Sequence, residues 1–341
     1  MVHLMDDGQI EGEVSVMTGA PTVVFIAGSG RSGSTLVERM LGAIPGFVNV
    51  GELIDIFRRV YAGDELCGCG EPFSQCPFWC EVGDRAFGGW SSELVAEMAE
   101  LQSQVARQRH IPHLLSPYQR QAFRDSLGTY RDRYGELYQA IALTAGARVV
   151  VDASKWPSQA LALSRSRLDL RVVHVVRDVR GVAWSMNKRD LERPHATGGR
   201  EVMFHQGIAV AAGRWVVCQS EVDAVRLSGT PTVLLSYEEL ATRARSVIGQ
   251  TLDQLELTVP EDELRHLGPH EADLGASHGL SGNPSRFTAG VTPLRLDEEW
   301  REKMPRVSQS VLAVIGTPQR VRMTWTNAAR RPVEHMGAEW K

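Results

Sequence analysis

Long apolar runs are missing from this chain. No stretch approaches the ~20 consecutive apolar residues that a membrane-spanning helix needs, so no membrane span is expected. The first twenty residues lack a basic segment leading into an apolar core and carry Asp6, Asp7, Glu11 and Glu13 instead. That pattern argues against a secretory signal, and a cytoplasmic protein is expected. Nor does one sign of charge dominate: a net charge of −4 and a pI of about 6.2 give no general reason to expect nucleic acid or an anionic membrane as partner. Any anion site must therefore be built locally. Cysteine is scarce, with five in 341 residues, which excludes a disulfide scaffold, although four of the five fall between Cys67 and Cys80. What the chain does have is 43% hydrophobic residues, enough for a substantial core. Length permits one or two domains, and the spacing of strand-like runs favours a single domain over 1–341.

The most informative stretch is Thr22 to Leu41, TVVFIAGSGRSGSTLVERML. Thr22 to Ile26 is an unbroken apolar and β-branched run, as expected of a parallel strand buried on both faces. Gly28, Gly30 and Gly33 permit a tight turn and close approach of the backbone to a ligand. Leu36, Val37, Met40, Leu41 and Ile44 then recur at helical spacing. Strand, loop and helix together aim backbone N–H groups and the positive helix end at one point, so an anion is expected there. Against the nucleotide triphosphatase pattern G-x-x-x-x-G-K-[ST], Gly28, Gly33 and Thr35 fit, but Ser34 occupies the lysine position. The fixed positive charge sits earlier, at Arg31. That displacement argues against ordinary ATP or GTP hydrolysis, in which the lysine bridges the β and γ phosphates.

Four further strands are predicted at Phe47–Val50, Arg148–Val151, Val172–Val176 and Thr232–Leu235, giving an α/β fold with a central parallel sheet, a P-loop-like phosphate-binding core and flanking helices. Ligands of such sheets gather at the carboxyl ends of the strands. Glu52, Lys155, Arg177 and Tyr237 all follow strand ends. Ser185 lies one to two turns into the helix after Arg177, and an arginine with a hydroxyl suits a second phosphate. His174, in mid-strand, reads as a core residue. Helices are predicted over Ser91–Arg109, Tyr118–Ala145 and Glu201–Leu227. Ile111–Pro117, with two prolines, reads as a loop holding His113 beside His110, and residues 189–199 as a connection that moves. Arg286 is the fixed charge in the Gly-rich loop Ser277–Phe287. Residues from about 317 read as a partly disordered tail. Cys67, Cys69, Cys76 and Cys80 could bind zinc, but C-x-C-x₆-C-x₃-C is not a common ligand spacing. Packing of small thiols with Phe73, Phe78 and Trp79 is the simpler account, and no metal is assigned. The segment reads as an insertion, at about 60–117, near the site.

Arg31 to Thr35 resembles the 5′-phosphosulfate loop of sulfotransferases that use 3′-phosphoadenosine 5′-phosphosulfate (PAPS). Gly51-Glu52, Ser154-Lys155, Arg177 to Ser185, Tyr237 to Leu240 and Gly282 to Arg286 are similar to other segments of that family, its bacterial and tyrosylprotein members above all, and they follow in family order. The resemblance implies that Gly30, Arg31, Ser32, Gly33, Ser34 and Thr35 hold the 5′-phosphosulfate. Arg177 and Ser185 would hold the 3′-phosphate, with Arg286 supplementing them and Tyr237 meeting adenine. Lys155 would stabilise the moving sulfonate, and Glu52 would be the base. The small-molecule enzymes place a histidine soon after the third strand where this chain has Trp156, so the choice between Glu52 and a histidine stays open. The implied reaction transfers sulfonate from PAPS, without a metal, to a hydroxyl or amine of a small-molecule or glycoconjugate acceptor, leaving 3′-phosphoadenosine 5′-phosphate. A P-loop small-molecule kinase and a nucleotide-binding regulator without turnover are the alternatives.

Overall fold

Apolar runs too short to cross a membrane and too continuous to face water must be covered on both sides, and the chain does this with one parallel sheet. In the computed structural model, which describes residues 19–194 and 198–329, the strands follow as β1 (Thr22–Gly28), β2 (Phe47–Asn49), β3 (Val149–Lys155), β4 (Asp169–Val176), β5 (Glu192–Pro194), β6 (Arg200–Val202) and β7 (Thr232–Ser236). Five of them pair in parallel in the order β2-β3-β1-β4-β7. These five are the strands read from sequence.

Alternation of side chains along β1 divides the core in two. Val23 and Phe25 face one layer, built chiefly from the helices Ser92–Val105 and Gln121–Ala145. Val24 and Ile26 face the other, built from the helices Ser34–Gly42 and Ala244–Gln254. All four are fully buried. Because β1 is central, with β3 on one side and β4 on the other, the chain crosses over β1 between them. The loops after β1, β3 and β4 therefore meet at one crevice.

Several local expectations change. Ile111–Leu115 is a short helix rather than a loop: Pro112 sits in its first turn, where a missing N–H costs nothing. Instead of a continuous helix from Glu201, Arg200–Val202 pairs antiparallel with Glu192–Pro194, and the helix begins at Ile208. The connection over 189–199 thus contributes Glu192–Pro194 to a β-ribbon, with 195–197 outside the described residues. The tail from 317 is helical through Ala329, and Arg322 pairs with Asp223. Residues 330–341, like most of the acidic N-terminal stretch, lie outside the described residues. A second ribbon joins β8 (Glu271–Leu274) to β9 (Gly290–Pro293) and carries the Ser277–Phe287 loop between its strands. No described helix is long and apolar enough to cross a membrane.

Candidate active site

At the end of β1 the backbone turns through left-handed conformations at Arg31 (φ 67°) and Gly33 (φ 90°), and Gly33 caps the helix Ser34–Gly42. Its carbonyl accepts the first helical bonds, from Leu36 and Val37. A Cβ at Gly33 would stand 2.5 Å from the Tyr237 ring, so only glycine lets the loop pack this closely. Left-handed backbone at a bulky residue such as Arg31 is uncommon and costs on the order of 1–3 kcal/mol. Burial pushes the Arg31 guanidinium down from its ordinary value, with the nearby Glu52 carboxylate opposing. Ser32 is 1% exposed, and its hydroxyl has no partner among the described residues.

A bulge delivers the lysine. Phe25 pairs with Asp152 and Ala27 with Lys155, so β3 holds one residue more than β1 over this interval. Lys155 itself has φ 67°. Bulges re-aim side chains, and here Lys155 Nζ meets Glu52 Oε1 in an ion pair whose side chains are each 15% exposed. Ser154, beside the bulge, accepts the Ile54 N–H at 2.9 Å and donates to Asp152, which ties the Lys155 and Glu52 segments together. Asp152 is fully buried and accepts the Tyr138 hydroxyl at 2.6 Å; burial pushes its carboxyl up to about 6.

The turn that carries Glu52 is braced from two directions. Gly51 (φ 76°) forms a bridge with Leu280, and a Cβ there would lie 2.1 Å from the Leu280 carbonyl oxygen. On the other side, Glu38 Oε1 accepts the Gly51 N–H at 2.6 Å and the Asn49 amide at 3.0 Å. Sequence reasoning missed Glu38, which stands off the apolar stripe of its helix, where a carboxylate is ordinarily solvated. It is buried, and desolvation pushes its carboxyl up to about 7 against the hydrogen bonds.

Arg177 follows β4. It donates to the Arg31 carbonyl at 3.1 Å and to both the carbonyl and the carboxylate of Asp297 at 2.9 Å, and it lies 4.5 Å above the Tyr237 ring. Tyr237 is thus packed between Arg177 and Gly33 while still reaching the cavity. Ser185 lies nearly two turns into the helix Val179–Asn187. Gly30, Arg31, Gly33, Ser34, Thr35, Glu52, Lys155, Arg177, Ser185 and Tyr237 all line one cavity of about 680 Å³. Ser32 lies beside that wall. Arg286 does not line it: buried, it donates to the carbonyls of Ser281 and Leu66 and stacks on Phe287, and desolvation lowers it to about 10. It braces the Ser281-Gly282 turn, which does line the cavity.

Sequence reasoning missed the opposite wall. The β6 segment brings Met203 and Phe204 across the loop, and Arg31 donates to the Met203 sulfur at 3.6 Å. Arg59 and Arg193 also line the cavity, held by Glu65 at 3.0 and 3.2 Å. No signal short of the three-dimensional pairing of β5 and β6 would have placed Arg193, Met203 and Phe204 there. No histidine lines the cavity among the described residues. His110 and His113 pack at a tilt against Phe123 elsewhere, and His174 is fully buried in β4, pushed down to about 3 by desolvation.

The family model described as "Sulfotransferase family" matches residues 21–261. No curated protein matches the chain. Among solved structures, the chain is similar to a sulfotransferase domain from the curacin biosynthetic pathway, with 18% identity, 88% of this chain and 98% of that one covered, and a TM-score of 0.49. It is also similar to a sulfotransferase domain of the Synechococcus PCC 7002 olefin synthase (19% identity, 86% and 94% covered, TM-score 0.43). A sulfotransferase from Mycobacterium avium is similar at 12% identity, over 73% of this chain and 68% of that one, with a TM-score of 0.41.

Proposed function

The chain belongs to the sulfotransferase family, and on that premise we propose that it transfers the sulfonate of PAPS to a hydroxyl or amine of a small-molecule or glycoconjugate acceptor. The observation that carries this reading is that one cavity is lined by the Arg31–Thr35 turn, by Arg177 and Ser185, and by the Lys155–Glu52 ion pair, which we read as two separate anion sites beside a carboxylate and an ammonium group. One site is the Arg31–Thr35 loop at a helix N-terminus; the other is Arg177 with Ser185. A donor with phosphate at its 3′ position and phosphosulfate at its 5′ position needs two such sites, whereas ATP presents one phosphate chain. The unpartnered Ser32 hydroxyl and the left-handed turns at Arg31 and Gly33 suit an anion-binding loop, and Ser34 leaves no lysine at the triphosphatase position.

In this reading the acceptor oxygen or nitrogen attacks sulfur in line. Its bond to sulfur forms as the bond from sulfur to the bridging phosphate oxygen breaks, and the electron pair of that bond leaves with 3′-phosphoadenosine 5′-phosphate. Glu52 accepts the acceptor's proton. Lys155 and the loop N–H groups stabilise negative charge growing on the leaving phosphate, in a site already organised for it. The Lys155 ammonium beside Glu52 keeps both groups at one point of the wall, so proton acceptance and charge stabilisation share one locus.

Thermal stabilisation by 3′-phosphoadenosine 5′-phosphate, compared with ADP and ATP, each with and without Mg²⁺, tests the assignment. At ~100 times its dissociation constant, a ligand adds about 2.7 kcal/mol. Metal-independent stabilisation selective for the 3′-phosphate compound is expected. Stabilisation by ATP with Mg²⁺ alone would replace this reading with a kinase.

A further inference from the structure

The cysteine-rich segment does not close on itself. Cys80, the fourth cysteine of its sequence pattern, donates to the Ser74 carbonyl and stays apart. Cys67, Cys69 and Cys76 are joined instead by His278, some two hundred residues later, and the four ligand atoms all lie within 4.8 Å of one another. Packing of small thiols accounts for the buried Cys67 and Cys76. It does not account for Cys69, which is exposed and still turns its sulfur to within 3.7 Å of Cys76, nor for an imidazole nitrogen aimed at two sulfurs.

Four of the six distances between these donor atoms have the dimensions of a coordination shell. A tetrahedral zinc ion with Zn–S bonds of about 2.3 Å and a Zn–N bond of about 2.0 Å has S···S edges of about 3.8 Å and S···N edges of about 3.5 Å. Here Cys67 and Cys76 sulfurs are 3.6 Å apart, Cys69 and Cys76 3.7 Å, and His278 Nδ1 stands 3.6 Å from Cys67 and 3.4 Å from Cys76. A disulfide, with sulfurs about 2.05 Å apart, fits none of these.

Surrounding groups fix the donors as they are fixed around bound metals. The His278 ring stacks on Phe78 at 4.6 Å, with 9° between planes, and its carbonyl accepts the Trp79 indole N–H at 2.9 Å. Cys67 and Cys69 sit on a tight turn in which the Cys67 carbonyl accepts the Gly70 N–H, Gly70 having φ 95°. The Gly68 N–H donates to Gly279 at 3.0 Å, alongside His278. Cys76 immediately precedes the helix Pro77–Phe87, whose N-terminus favours a thiolate.

We propose that Cys67, Cys69, Cys76 and His278 form a structural zinc site that fastens the cysteine-rich segment to the Ser277–Phe287 loop. Three thiolates and one imidazole make a closed set, leaving no position for substrate. None of the four lines the cavity, so this metal takes no part in sulfonate transfer. Its effect there is indirect, because the same loop supplies Ser281 and Gly282 to the cavity wall.

The test is the metal content of the full chain, purified under reducing conditions from zinc-supplemented medium, with the variants Cys69→Ser, Cys80→Ser and Cys218→Ser. One zinc per chain is expected in the wild type and in the Cys80 and Cys218 variants, and loss of the metal in Cys69→Ser. After chelation, cobalt(II) added to the wild type should give the intense visible bands of a tetrahedral, thiolate-ligated ion, which decides the matter even if Cys69→Ser does not fold. Folded wild type without stoichiometric zinc and with only weak octahedral cobalt absorption would overturn the proposal. So would an iron–sulfur spectrum, or loss of zinc in Cys80→Ser.

Discussion

Replacing Glu38 by glutamine isolates the electrostatic cost of bracing the Glu52 turn. The Glu38 carboxyl is buried, and desolvation raises it from 4.5 to about 7. A carboxyl raised in the native state is protonated there while the unfolded chain has already released its proton. Between pH 4.5 and 7 the native state therefore binds more protons, and stability falls as pH rises through that window, by up to about 1.4 kcal/mol per pH unit. The full loss, complete above pH 7, is roughly 3 kcal/mol for a shift of this size. Glutamine keeps a carbonyl oxygen able to accept from Asn49 and Gly51 but cannot ionise. Urea unfolding of both proteins at pH 5, 6, 7 and 8 measures the effect. The variant should gain on the wild type by about 2.5 kcal/mol between pH 5 and pH 8, most of it by pH 7. Asp152 is raised in the same direction but is common to both proteins, so it cancels in the difference. A stability difference that does not change with pH would refute the reasoning, since a buried, ionising Glu38 must produce one.

The remaining predictions concern the cavity. Glu52→Gln should lower turnover by about 10² to 10⁴-fold while leaving the affinity for 3′-phosphoadenosine 5′-phosphate nearly intact; unchanged single-turnover rates would remove Glu52 as the base. Arg177→Ala should weaken a 3′-phosphorylated nucleotide by about tenfold or more, as befits loss of a charged hydrogen bond. Its 3′-hydroxyl analogue should be weakened much less, and equal losses in calorimetric titrations would sink the assignment.

The sheet was legible because each of its five strands contains a short β-branched or apolar run, the pattern expected of strands covered on both faces. The turn after β1 was legible for a different reason: its glycines and Arg31 are contiguous, and local geometry needs no distant partner. Lys155 was found from its place at a strand end, but the bulge that aims it arises from register with β1, which no single segment encodes. Pro112 was read as a breaker because sequence does not show which turn of a helix a proline occupies. The resemblance, together with its charge, put Arg286 at the ligand, whereas its partners in the structure are carbonyls of its own loop and of Leu66. The partnership of His278 with the cysteines lies beyond spacing rules altogether, since folding alone makes the two segments neighbours.

The bridge between Gly51 and Leu280 has a consequence in time. The last strand of the sheet ends at Ser236, while the loop that walls the cavity ends with Arg286 and Phe287, roughly 50 residues later. At a synthesis rate of about 5–20 residues per second, the interval is on the order of 3 to 10 s. A nascent chain can therefore hold a complete sheet for seconds before it holds a complete site, and competence to bind its ligands is acquired as a distinct, later event.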